Sequence, residues 1–237
     1  VQQTGSTNDD ALLLATQGAL DGWLVLAEEQ TQGRGRSQRR WVTATGAALA
    51  FSLLLRPSAL EQAYIGRFTA LGALSVQQVL SELGLSAQIK WPNDVLVNGK
   101  KVCGVLAETL WQGNQAEAVI LGVGVNVRAG AVPPLEELQF PATSVEDVLG
   151  HSIGREVLLR SILEKLFAWR RQLGEAEFLA AWQSVLAFRG QQVQVGGVIG
   201  LLESLTPDGS LLLRLEDGSS AVVMVGDVHL RTFLDGR

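Results

Sequence analysis

A change of pattern near residue 189 constrains the fold of this chain more than any other feature. Residues 143–188 carry apolar residues at helical spacing, whereas residues 191–231 hold five short apolar segments. Asp-Gly pairs, which favour tight turns, lie between these segments at 208–209 and 217–218. Five short strands in so small a space predict a small β-barrel. We therefore expect one domain over residues 1–188 and a second, smaller one over residues 189–237.

The first of these domains combines helical and strand patterns. Helical spacing covers residues 7–15 and 60–83, and Thr7 is a candidate N-cap for the first helix. Asn98-Gly99 separates two apolar segments and is typical of a hairpin turn, because both residues tolerate positive φ. Strands are predicted at 23–27, 47–55, 88–91, 95–97, 101–108 and 116–126. This order of elements indicates an α+β fold.

Composition limits the classes of function. Of the 237 residues, 47% are apolar and 18% are charged, which is enough apolar material for a sizeable core. The net charge of −5 disfavours a general nucleic-acid binder. Cys103 is the only cysteine, which excludes an internal disulfide and favours a reducing compartment. No apolar run approaches the ~20 residues of a membrane span, and the start has no signal-peptide pattern. We therefore expect a cytoplasmic protein that does not associate with a membrane.

A glycine- and arginine-rich segment, residues 33–41 and here named the Gly-Arg loop, carries the strongest chemical signal. Glycine lets the backbone approach a ligand closely, and arginine makes multidentate contacts with phosphate or carboxylate. Trp41 closes the segment with a ring face on which a base can stack. The loop therefore indicates a nucleotide-phosphate pocket, with a solvated basic surface as the alternative. It is not a Walker loop, because no Gly-Lys-Ser/Thr follows, and it does not lead into a helix as a dinucleotide fingerprint does.

Four further segments can present polar groups to one site. Lys90-Trp91-Pro92-Asn93-Asp94 is a rigid turn that carries a lysine, an amide and a carboxylate. Lys101 begins an apolar strand, where its side chain either points into a polar pocket or, as its position alone favours, extends to water. Ser6-Thr7-Asn8 is typical of a helix cap and can also hydrogen-bond a ligand. The glycines of Gly122-Val123-Gly124 weaken a strand unless a ligand or backbone approaches closely. Only two histidines are present, far apart, and there is no nucleophile elbow, so neither a transition-metal site nor a Ser-His-Asp triad is supported.

Taken in order, these segments resemble the biotin protein ligase family (biotin–[acetyl-CoA-carboxylase] ligase) over nearly the whole chain. The Gly-Arg loop and Lys90-Trp91-Pro92-Asn93-Asp94 are the most specific pair, and the other segments fall in the family's order. The resemblance implies a core like that of class II aminoacyl-tRNA synthetases and biotin-lipoyl ligases, with a central mixed sheet flanked by helices. It also implies that the small C-terminal β-barrel is SH3-like.

The resemblance further implies a two-step reaction. The carboxylate of biotin attacks the α-phosphate of ATP, which Mg²⁺ accompanies, and gives biotinyl-5′-AMP and pyrophosphate. The ε-amine of a lysine on the biotin carboxyl carrier protein of acetyl-CoA carboxylase then attacks this anhydride and releases AMP. Family members often form homodimers. Because the chain starts at its Ser-Thr-Asn segment, it has no room for the DNA-binding domain of the repressor members, and no DNA binding is expected.

The family's site residues carry over to matching positions of this chain. The residues implied as catalytic are Lys101, Arg34 and Arg36. The residues implied for biotin binding are Ser6, Thr7, Asn8, Gln30, Arg34, Gly35, Arg36, Lys101, Gly104 and Gly122. The residues implied for ATP binding are Arg36, Arg39, Trp41, Lys90, Asn93, Asp94 and Asn126. Two positions depart from the family pattern: Gln38 stands where the loop usually has glycine, and Cys103 stands where a small residue, often alanine, is common.

Two other functions stay open on the sequence alone. A lipoate or octanoate transferase would share the core fold, but the Arg-Arg-x-Ser-Gly-Gly-Gly segment expected of lipoyl enzymes is absent. A non-catalytic binder of nucleotides or single-stranded nucleic acid would present exposed aromatic residues on the small barrel. Residues 190–232 contain no aromatic residue, which disfavours this second alternative.

Overall fold

The computed structural model describes residues 1–42, 44–138, 140–224, 226 and 228–230. The strands are β1 (Gln3–Thr4), β2 (Leu24–Ala27), β3 (Glu29–Gln30), β4 (Ala48–Leu55), β5 (Ala87–Lys90), β6 (Asp94–Val97), β7 (Lys100–Gln112), β8 (Gln115–Asn126), β9 (Gln192–Val195), β10 (Val198–Leu205), β11 (Leu211–Arg214), β12 (Ser220–Val223) and β13 (Val228–Leu230). The α-helices are α1 (Thr7–Thr16), α2 (Phe68–Glu82), α3 (Val145–Leu149), α4 (Arg155–Arg170) and α5 (Ala176–Ser184).

A six-stranded sheet in the order β2-β4-β8-β7-β6-β5 forms the centre of the fold. Every pair of neighbouring strands in it is antiparallel. The α+β class is therefore confirmed, but the prediction of a mixed sheet is wrong in this detail. The reason is connectivity, because β5 to β8 follow one another through short turns and a parallel neighbour would need a long crossover. Within the described residues, β1 and β3 are the named strands that pair in parallel, and they form a separate two-stranded sheet.

Helices cover the two faces of this sheet differently. Helix α2 packs on one face and is itself contacted by α4, so most of its side chains are buried. Helix α1 lies on the other face, where Ala11 and Ala15 pack against Leu54 and Ile120. Asp9 of the same helix contacts the Gly-Arg loop. The loop therefore lies beside α1, on the face of the sheet opposite to α2.

Two helix predictions need correction. The helix predicted over residues 60–83 begins with a 3₁₀ segment, Glu61–Arg67, and only then becomes α2. Tyr64, with φ −122°, interrupts the helical geometry. Thr7 is the first residue of α1 and not its N-cap; Ser6 takes that position, and its side chain makes no capping hydrogen bond. The side chains of Ser6, Thr7 and Asn8 can therefore make contacts other than a helix cap.

Strands β9 to β13 form a five-stranded antiparallel sheet in the order β12-β11-β10-β9-β13. This sheet is the predicted SH3-like element, and in the described residues β12 and β13 are its two edges, with no pairing that closes a barrel. One of its turns docks on the rest of the molecule. Arg67 donates a hydrogen bond to the Pro207 carbonyl (2.6 Å), and Trp91 Nε1 donates one to the Gly209 carbonyl (2.9 Å). In the part of the chain that the structure describes, no helix is both long and apolar enough to cross a bilayer.

Candidate active site

Small residues form the floor of the site, on the α1 face of the sheet. Gly104 of β7 pairs with Gly124 of β8, and Gly122 lies two positions earlier on β8. A Cβ at Gly122 would lie 2.2 Å from Asn8 Oδ1, and one at Gly124 would lie 2.4 Å from Trp41 Cε2. Both distances are far below van der Waals contact. The glycines that would otherwise weaken β8 are thus explained by the close approach of two side chains.

An irregularity in β7 sets the direction of Lys101. The register of β7 against β6 shifts between Lys101 and Cys103, so that Val102 has no partner. Because side chains alternate along a strand, the extra residue turns Lys101 to the same face as Gly104. Its Nζ lies 2.6 Å from Asp94 Oδ1, so the polar pocket is the alternative found for this lysine. Cys103 points into the core, where burial raises the pKa of its thiol and keeps it neutral.

A buried network of neutral groups, here named the neutral network, lies at one end of the floor. Gln30 Oε1 accepts hydrogen bonds from the Thr7 backbone N–H (2.8 Å) and from the Thr7 hydroxyl (3.0 Å). The Ser52 hydroxyl lies 2.7 Å from Thr7 Oγ1 and 2.6 Å from Asn8 Oδ1. Its single proton can serve only one of these acceptors at a time. This region offers hydrogen bonds without net charge, which suits an uncharged polar part of a ligand.

The Gly-Arg loop folds back on itself above the floor. Gly35 N–H donates a hydrogen bond to the Arg39 carbonyl at 2.7 Å, which closes the loop at its centre. The left-handed residue inside this turn is Ser37, with φ 54°. A positive φ is uncommon for residues other than glycine. The left-handed residue of the loop is therefore Ser37. Gln38, which departs from the family pattern, directly follows it.

The first two arginines of the loop have different partners. Arg34 Nη2 lies 2.5 Å from Asp9 Oδ1 and 2.9 Å from Glu108 Oε2. Arg36 Nη1 donates a hydrogen bond to Asn93 Oδ1 at 3.3 Å. These contacts hold the loop between α1, β7 and the turn that precedes β6.

Two adjoining cavities form the site, and the glycines of the floor line the first of them. The first, of about 110 Å³, is lined by Thr7, Asn8 and Gln30 of the neutral network together with Arg34 and Arg36. The second, of about 550 Å³, extends past Lys90, Asn126 and Phe140. Five residues border both cavities and are here named the shared wall: Arg39, Arg40, Trp41, Asp94 and Lys101. The arrangement can therefore hold two ligands, or two halves of one ligand, that meet beside three cationic side chains.

The second cavity combines a buried cation with an aromatic ring. Lys90 is buried, and its Nζ lies 4.5 Å from the centroid of the Phe140 ring, within cation–π distance. Asn126 is fixed by a hydrogen bond from its Nδ2 to the Thr143 carbonyl at 3.2 Å. A flat base and anionic groups could both find partners here.

All the site residues predicted from the sequence border one of the two cavities. Asn93, which was expected on the nucleotide side, borders the first cavity, where its Nδ2 donates to the Val105 carbonyl. The sequence prediction missed Ser52, Glu108 and Phe140. Alternation along β7 could have indicated Glu108, whereas the irregular segment that holds Phe140 gives no comparable signal.

Comparisons with known proteins agree with the resemblance seen in the sequence. The model of the "Biotin/lipoate A/B protein ligase family" matches residues 1–126. The biotin--[acetyl-CoA-carboxylase] ligase of Paracoccus denitrificans is 36% identical over 233 residues, which cover 93% of this chain and 95% of that protein. The bifunctional ligase/repressor BirA of Bacillus subtilis (strain 168) is 34% identical over 221 residues, which cover 90% of this chain and 68% of that protein.

A solved structure confirms the fold. The biotin protein ligase from Aquifex aeolicus in complex with biotin and ATP superposes with a TM-score of 0.82 and is 29% identical in sequence. The match covers 98% of this chain and 97% of that chain, so it includes both the six-stranded sheet and the small C-terminal sheet. On the family match and these similarities, the chain belongs to the biotin/lipoate A/B protein ligase family.

Proposed function

We propose that this protein is an ATP-dependent biotin ligase that forms biotinyl-5′-AMP and transfers biotin to a lysine of a carrier protein. One observation carries the proposal: the first cavity, which adjoins the neutral network, and a second cavity that holds Lys90 meet at the shared wall, which carries three cations. Biotin has an uncharged polar head and a carboxylate at the other end, so its two ends match the neutral network and the wall. The relatives and the solved structure named for biotin ligation support the same choice of substrate.

The biotin head binds in the first cavity. Its polar atoms replace or extend the hydrogen bonds of the neutral network, where a buried group left unpaired is costly. Gly104 and Gly122 let the ligand approach the backbone of the floor, and Gly35 lets the loop close over the tail. The polar side chains assigned to the head are those of Ser6, Thr7, Asn8 and Gln30.

The first chemical step joins two anions. A carboxylate oxygen of biotin attacks the α-phosphorus of ATP, and the bond from that phosphorus to the departing pyrophosphate breaks. Arg34, Arg36 and Lys101 offset the repulsion between the carboxylate and the phosphates. A cation held beside the α-phosphoryl oxygens also stabilises the charge that develops on them during attack. Asp94, 2.6 Å from Lys101 Nζ, orients that ammonium at the shared wall.

ATP occupies the second cavity and enters as its Mg²⁺ complex. Arg39 binds phosphate oxygens and Trp41 packs on the adenine. The residues that line the nucleotide in this cavity are Lys90, Asp94 and Asn126, whereas Asn93 borders the first cavity and accepts a hydrogen bond from Arg36. Among the described residues, no cluster of three or more Asp, Glu, His and Cys side chains is arranged to hold a metal. This fits Mg²⁺, which proteins commonly bind through one or two carboxylates and the phosphates of the substrate.

The second step transfers the biotinyl group. The neutral ε-amine of the acceptor lysine attacks the carbonyl of the anhydride, an amide bond forms, and the bond from the carbonyl carbon to the phosphate oxygen breaks. AMP leaves and the amine releases one proton to solvent. The Gly-Arg loop covers the adenylate between the two steps and keeps water from the anhydride.

Further expectations from the sequence belong to the same proposal. The chain divides into domains at residues 1–188 and 189–237, and the smaller one supports the nucleotide side through the bond from Trp91 to Gly209. The carrier is the biotin carboxyl carrier protein of acetyl-CoA carboxylase, in the cytoplasm, where the single thiol of Cys103 stays reduced. The net charge of −5 supports an absence of DNA binding, which a gel shift on upstream operon DNA tests. Sedimentation measurements test for a homodimer.

One assay tests the function. The protein is incubated with labelled biotin, Mg-ATP and a biotin carrier domain, with lipoate as competitor in a parallel reaction. We expect label on the carrier lysine, formation of AMP and pyrophosphate, and no competition by lipoate. Absence of transfer, or a preference for lipoate, would contradict the proposal.

A further inference from the structure

Glu108 is a carboxylate that neither step of the proposed reaction uses, yet it contacts two parts of the site. It lies on β7, four positions beyond Gly104, so strand alternation directs it to the α1 face. Its Oε2 accepts a hydrogen bond from Asn8 Nδ2 at 2.6 Å and another from Arg34 Nη2 at 2.9 Å. One oxygen atom therefore joins the neutral network to the Gly-Arg loop.

Glu108 determines how the Asn8 amide is oriented. The Asn8 side chain is buried against the floor, with its Oδ1 only 2.2 Å from where a Cβ on Gly122 would lie. A carboxylate can only accept hydrogen bonds, so the NH₂ end of the amide has to face it. The Oδ1 end is then directed to the Ser52 hydroxyl, which lies 2.6 Å away. Without the carboxylate, Nδ2 keeps the Leu106 carbonyl, at 3.5 Å, as a weak acceptor, and the amide could turn over and present the opposite pattern of donor and acceptor to a ligand.

The same carboxylate positions the loop. Arg34 is held between Glu108 and Asp9, at 2.9 and 2.5 Å. The side chains are 42% exposed for Arg34, 33% for Glu108 and 55% for Asp9. Ion pairs this exposed contribute little to the stability of a fold. The main effect of the contact is therefore to fix the position of Arg34, and with it the position of the first turn of the loop.

We propose that Glu108 is a positioning residue that couples the binding of the biotin head to closure of the Gly-Arg loop. A ligand that orders Asn8 also fixes the Glu108 carboxylate, and a fixed carboxylate holds Arg34 and the loop over the ligand. By reciprocity, a closed loop favours the binding-competent orientation of Asn8. The inference rests on the proposed function and adds a residue that acts through two others.

Three matched variants separate the two contacts. Glu108→Gln weakens both, Asp9→Asn acts only on the Arg34 side, and Ser52→Ala acts only on the Asn8 side, where it removes the hydroxyl that lies against Asn8 and Thr7. Calorimetry without ATP gives the biotin Kd, and assays with the carrier give the fraction of adenylate that is hydrolysed instead of transferred. We expect Glu108→Gln to raise the Kd about tenfold, the scale of one charge-assisted hydrogen bond, and to raise the hydrolysed fraction as well. Ser52→Ala should raise only the Kd, and Asp9→Asn only the hydrolysed fraction.

The outcomes distinguish this inference from the function on which it rests. A wild-type protein that neither binds biotin nor forms adenylate overturns both. An active wild type with Glu108→Gln unchanged in both readouts overturns the coupling alone, and so does a defect in only one readout. If Glu108→Gln does not fold, Glu108→Asp keeps the charge and withdraws the oxygen by one methylene. It should show both defects in weaker form, and wild-type values in that variant would end the proposal.

Discussion

The neutral network and the shared wall lie in one site but differ in the charge, length and burial of their side chains. The neutral network uses uncharged side chains on α1, β3 and β4, most of them short and buried, which are fixed by hydrogen bonds to one another. The wall uses long cationic side chains, two of which come from the Gly-Arg loop. Short buried groups discriminate between ligands because any unpaired polar atom is costly. Long cations on a loop can follow a phosphate whose charge and position change during a reaction.

The largest effect should come from the wall. Lys101→Ala removes the cation of the shared wall that lies on the sheet and not on the loop, and we expect the rate of adenylate formation to fall about 10²- to 10³-fold, as for the loss of one donor to a developing oxyanion. Pyrophosphate release in the presence of biotin measures this step. The biotin Kd should change far less.

The neighbouring lysine provides the control for that variant. Lys100 is exposed, so Lys100→Ala removes the same charge from the same strand without touching either cavity. Near-wild-type adenylation in Lys101→Ala, or an equal loss in Lys100→Ala, would remove the catalytic role from Lys101.

Substitutions in the floor should separate the two regions. Gly122→Ala brings a methyl group against Asn8, whereas Gly124→Ala brings one against Trp41. Overpacking of this kind typically costs about 1–3 kcal/mol. We expect Gly122→Ala to raise the biotin Kd roughly 10- to 100-fold and Gly124→Ala to raise the KM for ATP by a similar factor. Identical changes in both constants for the two variants would contradict the division of the site.

A smaller effect is expected from one buried hydroxyl. Ser52→Ala leaves Thr7 and Asn8 without their common partner, and a buried group that loses its partner costs about 1–3 kcal/mol. The free energy of unfolding in urea should fall by that amount. Ser86→Ala, at an exposed serine, serves as the control and should leave the unfolding midpoint unchanged. A stability loss of the same size in both variants would argue against a special role for the network.

How well the sequence predicted each region follows from the kind of signal that each carries. The Gly-Arg loop and the turn from Lys90 to Asp94 are local patterns of unusual residues, so both could be placed at the site before the structure was known. Ser52 could not, because a serine in an apolar strand becomes informative only once α1 packs over it. The mixed sheet was an expectation taken from the family resemblance, because strand pairing depends on tertiary contacts, whereas strand positions follow from local spacing. The extra residue at Val102, which turns Lys101 towards the cavities, leaves no mark in the pattern at all.

The smallest expected effect concerns salt, and it tests the comparison without a mutation. Exposed charges are screened strongly as ionic strength rises, since the Debye length falls from about 10 Å at 0.1 M to about 3 Å at 1 M. Arg39 and Arg40 of the shared wall are exposed, whereas Thr7, Asn8 and Ser52 are buried and uncharged. We therefore expect the KM for ATP to rise about three- to tenfold between roughly 0.05 and 0.5 M salt. The Kd of biotin methyl ester, which keeps the head and lacks the carboxylate, should change less than about twofold over the same range. Equal salt dependence for the two ligands would mean that the first cavity also relies on charge, and the contrast between the two regions would no longer hold.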